Sequence, residues 1–277
     1  MSNALQAFLE IVRALKCYQD SLRDFIESSP FQGSLFPFLH WQLLRHLGAG
    51  GVMEIRTLHN FMGRQQTYSG YFDNLEAILF EIVPLPESPR SRLPYGGIPR
   101  IMEAMVCATL NPVRADFLAR ANNRIIYAKN TTSDEDIVAI STVVIDIDPR
   151  RPAGISSTDL EKEKGRRVAD NIFAFFDKRR IKPILIDSGN GWHLIIPTVP
   201  YRDVPQASIK VGRLLEYLKN EFGNDDVEID TTVSNPARIL KLPGTLAMKG
   251  DHIPERPHRW SQIVGDFQPP QEVDLLS

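Results

Sequence analysis

TVVIDID, residues 142–148, is a β-branched run that ends at Pro149 and carries two carboxylates at its finish. Such a run reads as a strand. Side chains alternate across a strand, so Asp146 and Asp148 share one face. Pro149 holds Asp148 extended and closes the element. Downstream, Thr158 and Glu161 have capping-box spacing and open a helix to about Arg180, with Val168, Ile172, Phe175 and Phe176 as its buried stripe. PILID (183–187) and WHLIIP (192–197) read as two strands, and the Asn190-Gly191 pair between them predicts a hairpin turn at positive φ. A second helix is expected from about Gln206 to Phe222 with Ile209, Leu214, Leu215 and Leu218 inward, followed by the extended pieces VEID (227–230) and RILKLP (238–243).

The order is strand, helix, strand, strand, helix, strand: the ferredoxin-like or RNA-recognition-motif (RRM-like) arrangement of an α/β (α+β) chain, here over about 140–250. That arrangement hosts many functions, so function must be argued from the site. Upstream, apolar residues at helical spacing (Leu5, Phe8, Leu9, Val12, Leu15, Leu22, Phe25) predict a helix within 4–28, and a second helix is expected from about Pro37 to Leu47. The run Gly48 to Gly51 breaks it. VMEIRTL (52–58) then reads as a strand, FDNLEAILFEIV (72–83) as a helix with Asp73 as its cap, and the Pro- and Gly-rich stretch 84–99 as a loop. The expected organisation is an N-terminal helical segment, 1–48, a main domain, 49–265, and a tail or linker, 266–277.

The 277 residues are 43% hydrophobic and 24% charged, ordinary for a globular protein. No apolar run approaches the ~20 residues of a membrane span, and the N-terminus lacks a signal-peptide pattern. Cys17 and Cys107 stand far apart in sequence, so no zinc is expected, and a cytoplasmic, thiol-reduced setting is the default. A net charge of -2 argues against a non-specific nucleic-acid coat protein but not against a local basic groove.

Three features carry chemistry. Asp146 and Asp148 on one face raise each other's pKa unless a cation sits between them, and hard divalent ions are the natural partner. The alternative is a solvated strand end. Ser188, Gly189, Asn190 and Gly191 form a small permissive loop that can approach a phosphate, with His193 beyond it. Taken alone, this is as well explained by an ordinary hairpin with a surface histidine. Asp230 is followed by Arg238 and Lys241, a Pro243-Gly244 turn and Lys249, an acid with spaced cations as a metal-triphosphate site requires. A solvated mixed-charge loop is the alternative there.

In this order the hhhDhD run at 143–148, the SGxGxH run at 188–193, and the hD run at 229–230 with its R..KLPGT sequel resemble the three motifs of the archaeo-eukaryotic primase (AEP) superfamily and its primase-polymerases of mobile-element or CRISPR-associated type. SGYFDNLEAI (69–78), ATLNPV (108–113), RANNRI (120–125), TTSDEDI (131–137) and DPRRPAGISSTDLE (148–161) are similar to segments around the first motif in such proteins, so the resemblance covers about 51–250. It implies an AEP primase core in which Asp146, Asp148 and Asp230 are catalytic and bind two Mg²⁺ or Mn²⁺ ions. Ser188 and His193 would hold the incoming nucleotide's phosphates, assisted by Arg238 and Lys241, with Gly189, Asn190 and Gly191 shaping the loop. The implied activity is template-directed nucleotidyl transfer that makes primers or extends DNA with NTPs or dNTPs. Single-stranded DNA template and primer would be partners, and relatives often carry a helicase or accessory domain after the core. Arg114, Arg120, Asn123, Arg124 and Lys129 form the expected strand-binding face, a solvated helix being the alternative. Two other classes use similar residues: a metal-dependent nuclease and a non-catalytic nucleotide- or DNA-binding module.

Overall fold

The computed structural model describes residues 35–61, 64–82 and 105–276. The helix expected within 4–28 and the loop 84–99 lie outside them. Helix α1 (Leu35–Gly48) buries Phe38, Leu39 and Leu43 against a mixed-length antiparallel sheet. Its first strands are β1 (Gly51–Phe61) and β2 (Arg64–Phe72), followed by α2 (Leu75–Ile82) and then β3 (Met105–Thr109), β4 (Val113–Arg114) and β5 (Ile126–Tyr127). Asp73 is not the cap of α2. Asn74 takes that place, its Oδ1 accepting the Ala77 amide at 2.9 Å, while Asp73 accepts from Asn123 at 2.7 Å.

The second half follows the expected order: β6 (Ile140–Pro149), α3 (Asp159–Asp177), β7 (Ile184–Asp187), β8 (Trp192–Tyr201), α4 (Val204–Phe222) and β9 (Val227–Asp230). The strands lie in the order β7-β8-β6-β9, all antiparallel, which is the ferredoxin-like arrangement. The capping box of α3 is present, and Val168, Ile172 and Phe176 are buried, with Phe175 packed on their flank. Gly165 of α3 lets the helix settle on Trp192 and Pro149, so the helices cover the face that carries Ile145 and Ile147, and Asp146 and Asp148 point to the other.

Two expectations on α4 and the hairpin are corrected. Ile209 is 57% exposed, because the buried line is Val204, Ala207, Val211, Leu215 and Leu218 and Ile209 lies about half a turn off it. Positive φ falls on Gly189, at 89°, rather than on Asn190 or Gly191.

Strand β10 (Ile239–Lys241) leaves the ferredoxin-like unit and pairs with β3, binding the two sheets together. Short strands β11 (Leu246–Ala247) and β12 (Arg259–Trp260) pair with each other, and β13 (Gln262–Ile263) extends the second sheet beside β7. The described part of the expected tail is packed. Phe267 meets the rings of Phe38 and Trp41, Val273 pairs with Thr198, and Leu276 is buried. No helix among the described residues is long and apolar enough to cross a membrane.

The phase of α4 gives a direct check. Leu215→Ala is expected to lower unfolding free energy by about 2–5 kcal/mol, and Ile209→Ala by no more than about 0.5 kcal/mol, both measured by urea unfolding.

Candidate active site

Register assembles the site. Asp146 lies at the centre of the second sheet, paired with Asp230 on β9 and with His193 on β8. Directly paired residues share a face, so Asp230, Asp146 and His193 form one cross-strand row. The next row holds Glu228 and Asp148, with Gly191 beside them. A Cβ at Gly191 would collide with Asp148 Oδ1 and sit 2.6 Å from the Ile147 carbonyl oxygen, so only glycine leaves room for this carboxylate.

Each acid has a local partner. His193 Nε2 lies 3.3 Å from Asp146 Oδ1, and its buried Nδ1 has no hydrogen-bond partner among the described residues. Asp230 Oδ1 accepts from the Thr232 amide at 2.8 Å and from its hydroxyl at 2.7 Å. Arg238 donates to the same hydroxyl at 3.3 Å, and its buried Nε has no partner among the described residues. Arg151 stands 3.6 Å from Asp148. Burial opposes ionisation of Asp146, but His193, Arg238 and Lys249 outweigh it and hold its pKa below the usual carboxylate value. Asp148 is driven the other way, by burial and then by the Asp146 charge, against Arg151, Lys249 and His193. Its side chain is 43% exposed, so solvent discounts the size of that shift.

The loop 188–191 is braced from within. The Ser188 amide donates to the Gly191 carbonyl at 3.0 Å, and the Gly191 amide to Ser188 Oγ at 2.9 Å. The Gly189 amide donates to Asp187 at 2.7 Å, and Asn190 Oδ1 accepts from the Ser157 amide at 2.9 Å. Gly189 and Gly191 therefore contribute shape rather than free amides, while the Ser188 hydroxyl keeps its proton to donate. Lys241 reaches the Ser188 carbonyl from the other sheet. Burial, helped by Lys249 and opposed by Cys107, lowers its pKa to about 8.

The sequence reading gave no role to several residues that set this geometry. Asn111 bridges the halves: its Oδ1 accepts from the Ser141 and Thr142 amides and its Nδ2 donates to the Pro236 carbonyl. Asp134 accepts the Ala237 amide at 2.8 Å, next to Arg238. Asp187 and Lys162 form a buried ion pair behind the loop. PILID contains Asp187 and the helix opened by the capping box contains Lys162, but nothing in either pattern marks them as partners. The expected strand-binding residues lie on the first sheet and its connections, in short strands and a 3-10 turn rather than a helix. Arg114 pairs with Asp116, Arg120 lies 3.5 Å over the Phe117 ring, Asn123 bonds Asp73, and Arg124 and Lys129 are exposed.

Three carboxylates with hard oxygen donors in adjacent rows suit a divalent cation. Among the described residues, however, no three His, Cys, Asp or Glu side chains converge into a ready-made metal cage, since Asp230 is turned onto Thr232 and Asp146 onto His193.

The opposite pKa directions give opposite stability effects. A carboxylate with a lowered folded pKa adds stability above its unfolded pKa, and one with a raised pKa loses it as pH rises through that range. Without divalent ions at pH 7, Asp146→Asn is expected to be less stable than wild type and Asp148→Asn at least as stable, both differences vanishing below the ordinary carboxylate range. Denaturant unfolding across pH checks both signs.

No family model and no curated protein matches the chain. Among solved structures it is similar to a crystal structure of primase RepB′, at 11% identity and a TM-score of 0.35, covering 81% of this chain and 55% of that one. It is also similar to the polymerase domain of Mycobacterium tuberculosis Ligase D in complex with DNA, at 12% identity and a TM-score of 0.37, covering 82% and 83%. The chain thus spans little more than half the length of the primase structure, and likeness at this level carries no functional argument.

Proposed function

We propose that this chain is a DNA primase-polymerase, a nucleotidyltransferase that uses Mg²⁺ or Mn²⁺ to make primers or extend DNA with NTPs or dNTPs. The observation that carries the reading is the row Asp230–Asp146–His193, with Asp148 one step along and two cations, Arg238 and Lys241, converging from beyond the sheet. A solvated strand end would not bring Asp146 into register with both Asp230 and His193, with Arg238 held beside Thr232.

Asp146, Asp148 and Asp230 would hold the divalent ions, which supply charge neutralisation at the reacting phosphate and activation of the attacking 3′-hydroxyl. The protein's share is positioning and electrostatics. Ser188 would donate its hydroxyl proton to the nucleotide's phosphates alongside His193, and Arg238 and Lys241 would neutralise charge. Gly189, Asn190 and Gly191 keep the loop small enough for close approach. Arg114, Arg120, Asn123, Arg124 and Lys129 hold the single-stranded template, and a helicase or accessory domain is the expected partner.

With Mn²⁺, template, labelled primer and all eight nucleotides, the purified chain is expected to lengthen the primer, and Asp146→Ala or Asp148→Ala to abolish this while staying folded. A folded variant that extends at near wild-type rate overturns the metal assignment, and primer shortening without nucleotides identifies a nuclease instead.

His193→Ala and Arg238→Ala are each expected to weaken nucleotide binding by about 10- to 150-fold, the loss of one charge-assisted hydrogen bond, with single-stranded DNA affinity unchanged. Fluorescence anisotropy on both ligands separates the two. If Arg238→Ala lowers DNA affinity and spares the nucleotide, the cation serves the template.

A further inference from the structure

Behind the loop 188–191, on the helix-covered side of the sheet, Lys162 of α3 places its Nζ 2.5 and 2.6 Å from the two carboxylate oxygens of Asp187. Both residues are buried, at 8% and 9% exposure. A buried ion pair is a poor source of stability, because desolvation offsets much of the attraction. This pair does something more specific. Asp187 Oδ1 also accepts the Gly189 amide at 2.7 Å, and Lys162 Nζ also reaches the Gly189 carbonyl at 3.3 Å. The two charges therefore hold both polar atoms of one residue, the residue that turns at φ 89°.

The surroundings leave that residue no alternative. A Cβ at Gly189 would lie 2.5 Å from the Ala247 Cβ and 2.8 Å from the Arg259 carbonyl oxygen, so β11 and β12 press on the turn from outside. Lys162 is itself fixed, since its carbonyl accepts the Trp192 indole N–H at 3.0 Å and its ammonium lies 5.0 Å from that ring. Trp192 precedes His193 on β8, so one lysine is tied to both ends of the Ser188–His193 segment. Ser157, just before the α3 cap, adds a second pin: its hydroxyl donates to the Asn190 carbonyl at 2.6 Å.

We infer that the Lys162–Asp187 ion pair is a positioning device that locks the turn at Gly189, so that Ser188 and His193 are preformed for the polyphosphate of a nucleotide. The nucleotide as ligand rests on the function proposed above, whereas the locking of the loop rests on geometry alone. Lys162 and Asp187 touch no ligand; they act through Gly189 and Trp192.

The test compares wild type, Lys162→Met and the double variant Lys162→Met/Asp187→Asn in the full chain. The double variant leaves no buried charge unpaired and keeps an oxygen acceptor for the Gly189 amide, so it guards against simple unfolding. Two readouts are taken: hydrogen exchange of the peptide spanning 187–192 relative to β6, and KM and kcat for dNTPs in primer extension. Both variants are expected to exchange faster in the loop with β6 unchanged. KM should rise about 10- to 100-fold, the scale of one charge-assisted hydrogen bond to the phosphates, while kcat changes much less, as for lost uniform binding. A merely stabilising pair predicts that the neutral double variant recovers wild-type KM and loop exchange, and that result overturns the inference. If wild type extends no primer, the proposed function fails, and loop exchange still decides the positioning claim: faster exchange in the double variant upholds it, unchanged exchange overturns it.

Discussion

The period-two alternation of strand β6 is the constraint on which the site depends. Ile145 and Ile147 go to the helix-covered face, where both are fully buried, and the same geometry delivers Asp146 and Asp148 to the other face. Because β6 is central, each acid acquires neighbours on two sides: Asp230 and Glu228 from β9, His193 and the Gly191 turn from β8. A one-residue slip would bury both carboxylates under α3 and α4 and expose the isoleucines, so hydrophobic burial enforces the register that builds the site.

The cation half of the site depends on the other sheet. Lys241 sits on β10, whose partner is β3, yet it reaches the Ser188 carbonyl. Arg238 is carried on the loop just before β10, which Asp134 and Asn111 hold by its backbone. Asn111 is the more economical tether, because one buried amide group satisfies the start of β6 with its oxygen and the Pro236 carbonyl with its nitrogen. Arg45 of α1 makes a further link by donating to the Ser141 and Thr198 carbonyls. The two sheets are thus joined by hydrogen bonds to main-chain atoms, whose positions are fixed by the sheets themselves.

What the sequence made legible follows from how local each signal is. The βαββαβ order, the α3 capping box and the shared face of Asp146 and Asp148 rest on periodicity and nearest-neighbour spacing, and the structure has all three. The Asp73 cap and the inward Ile209 were wrong by one or two positions. In each, a competing neighbour, Asn74 or the Ala207–Val211–Leu215 line, fits the geometry better. The hairpin expected around Asn190-Gly191 joins β7 to β8, but its positive φ falls on Gly189. Asn190 is instead drawn inward by Ser157, thirty-three residues away, and Gly191 is needed for its missing side chain rather than its φ. No local pattern reports contacts of that range. For the same reason the departure of β10 to the first sheet, and the roles of Asn111, Asp134 and the Lys162–Asp187 pair, were not legible.

Hydrogen bonding and charge hold the two parts of the site in different ways. The loop 188–191 is overdetermined: it donates to Asp187, accepts from Ser157 and Lys241 and is closed by bonds between Ser188 and Gly191, and a Cβ at Gly189 or Gly191 has nowhere to go. The acids are held differently. Asp146 is favoured as a carboxylate by three cationic or imidazole neighbours, whereas Asp148 is disfavoured by burial and by Asp146 itself. Asp148 is thus a group the fold tolerates rather than one that stabilises it, as is common where acids are gathered for a ligand. Arg151 offsets burial and the Asp146 charge only in part, since it already donates to the Pro149 and Ile155 carbonyls and stands 3.6 Å away. The uneven pair therefore leaves Asp148 as the acid whose ionisation the fold's own charges support less.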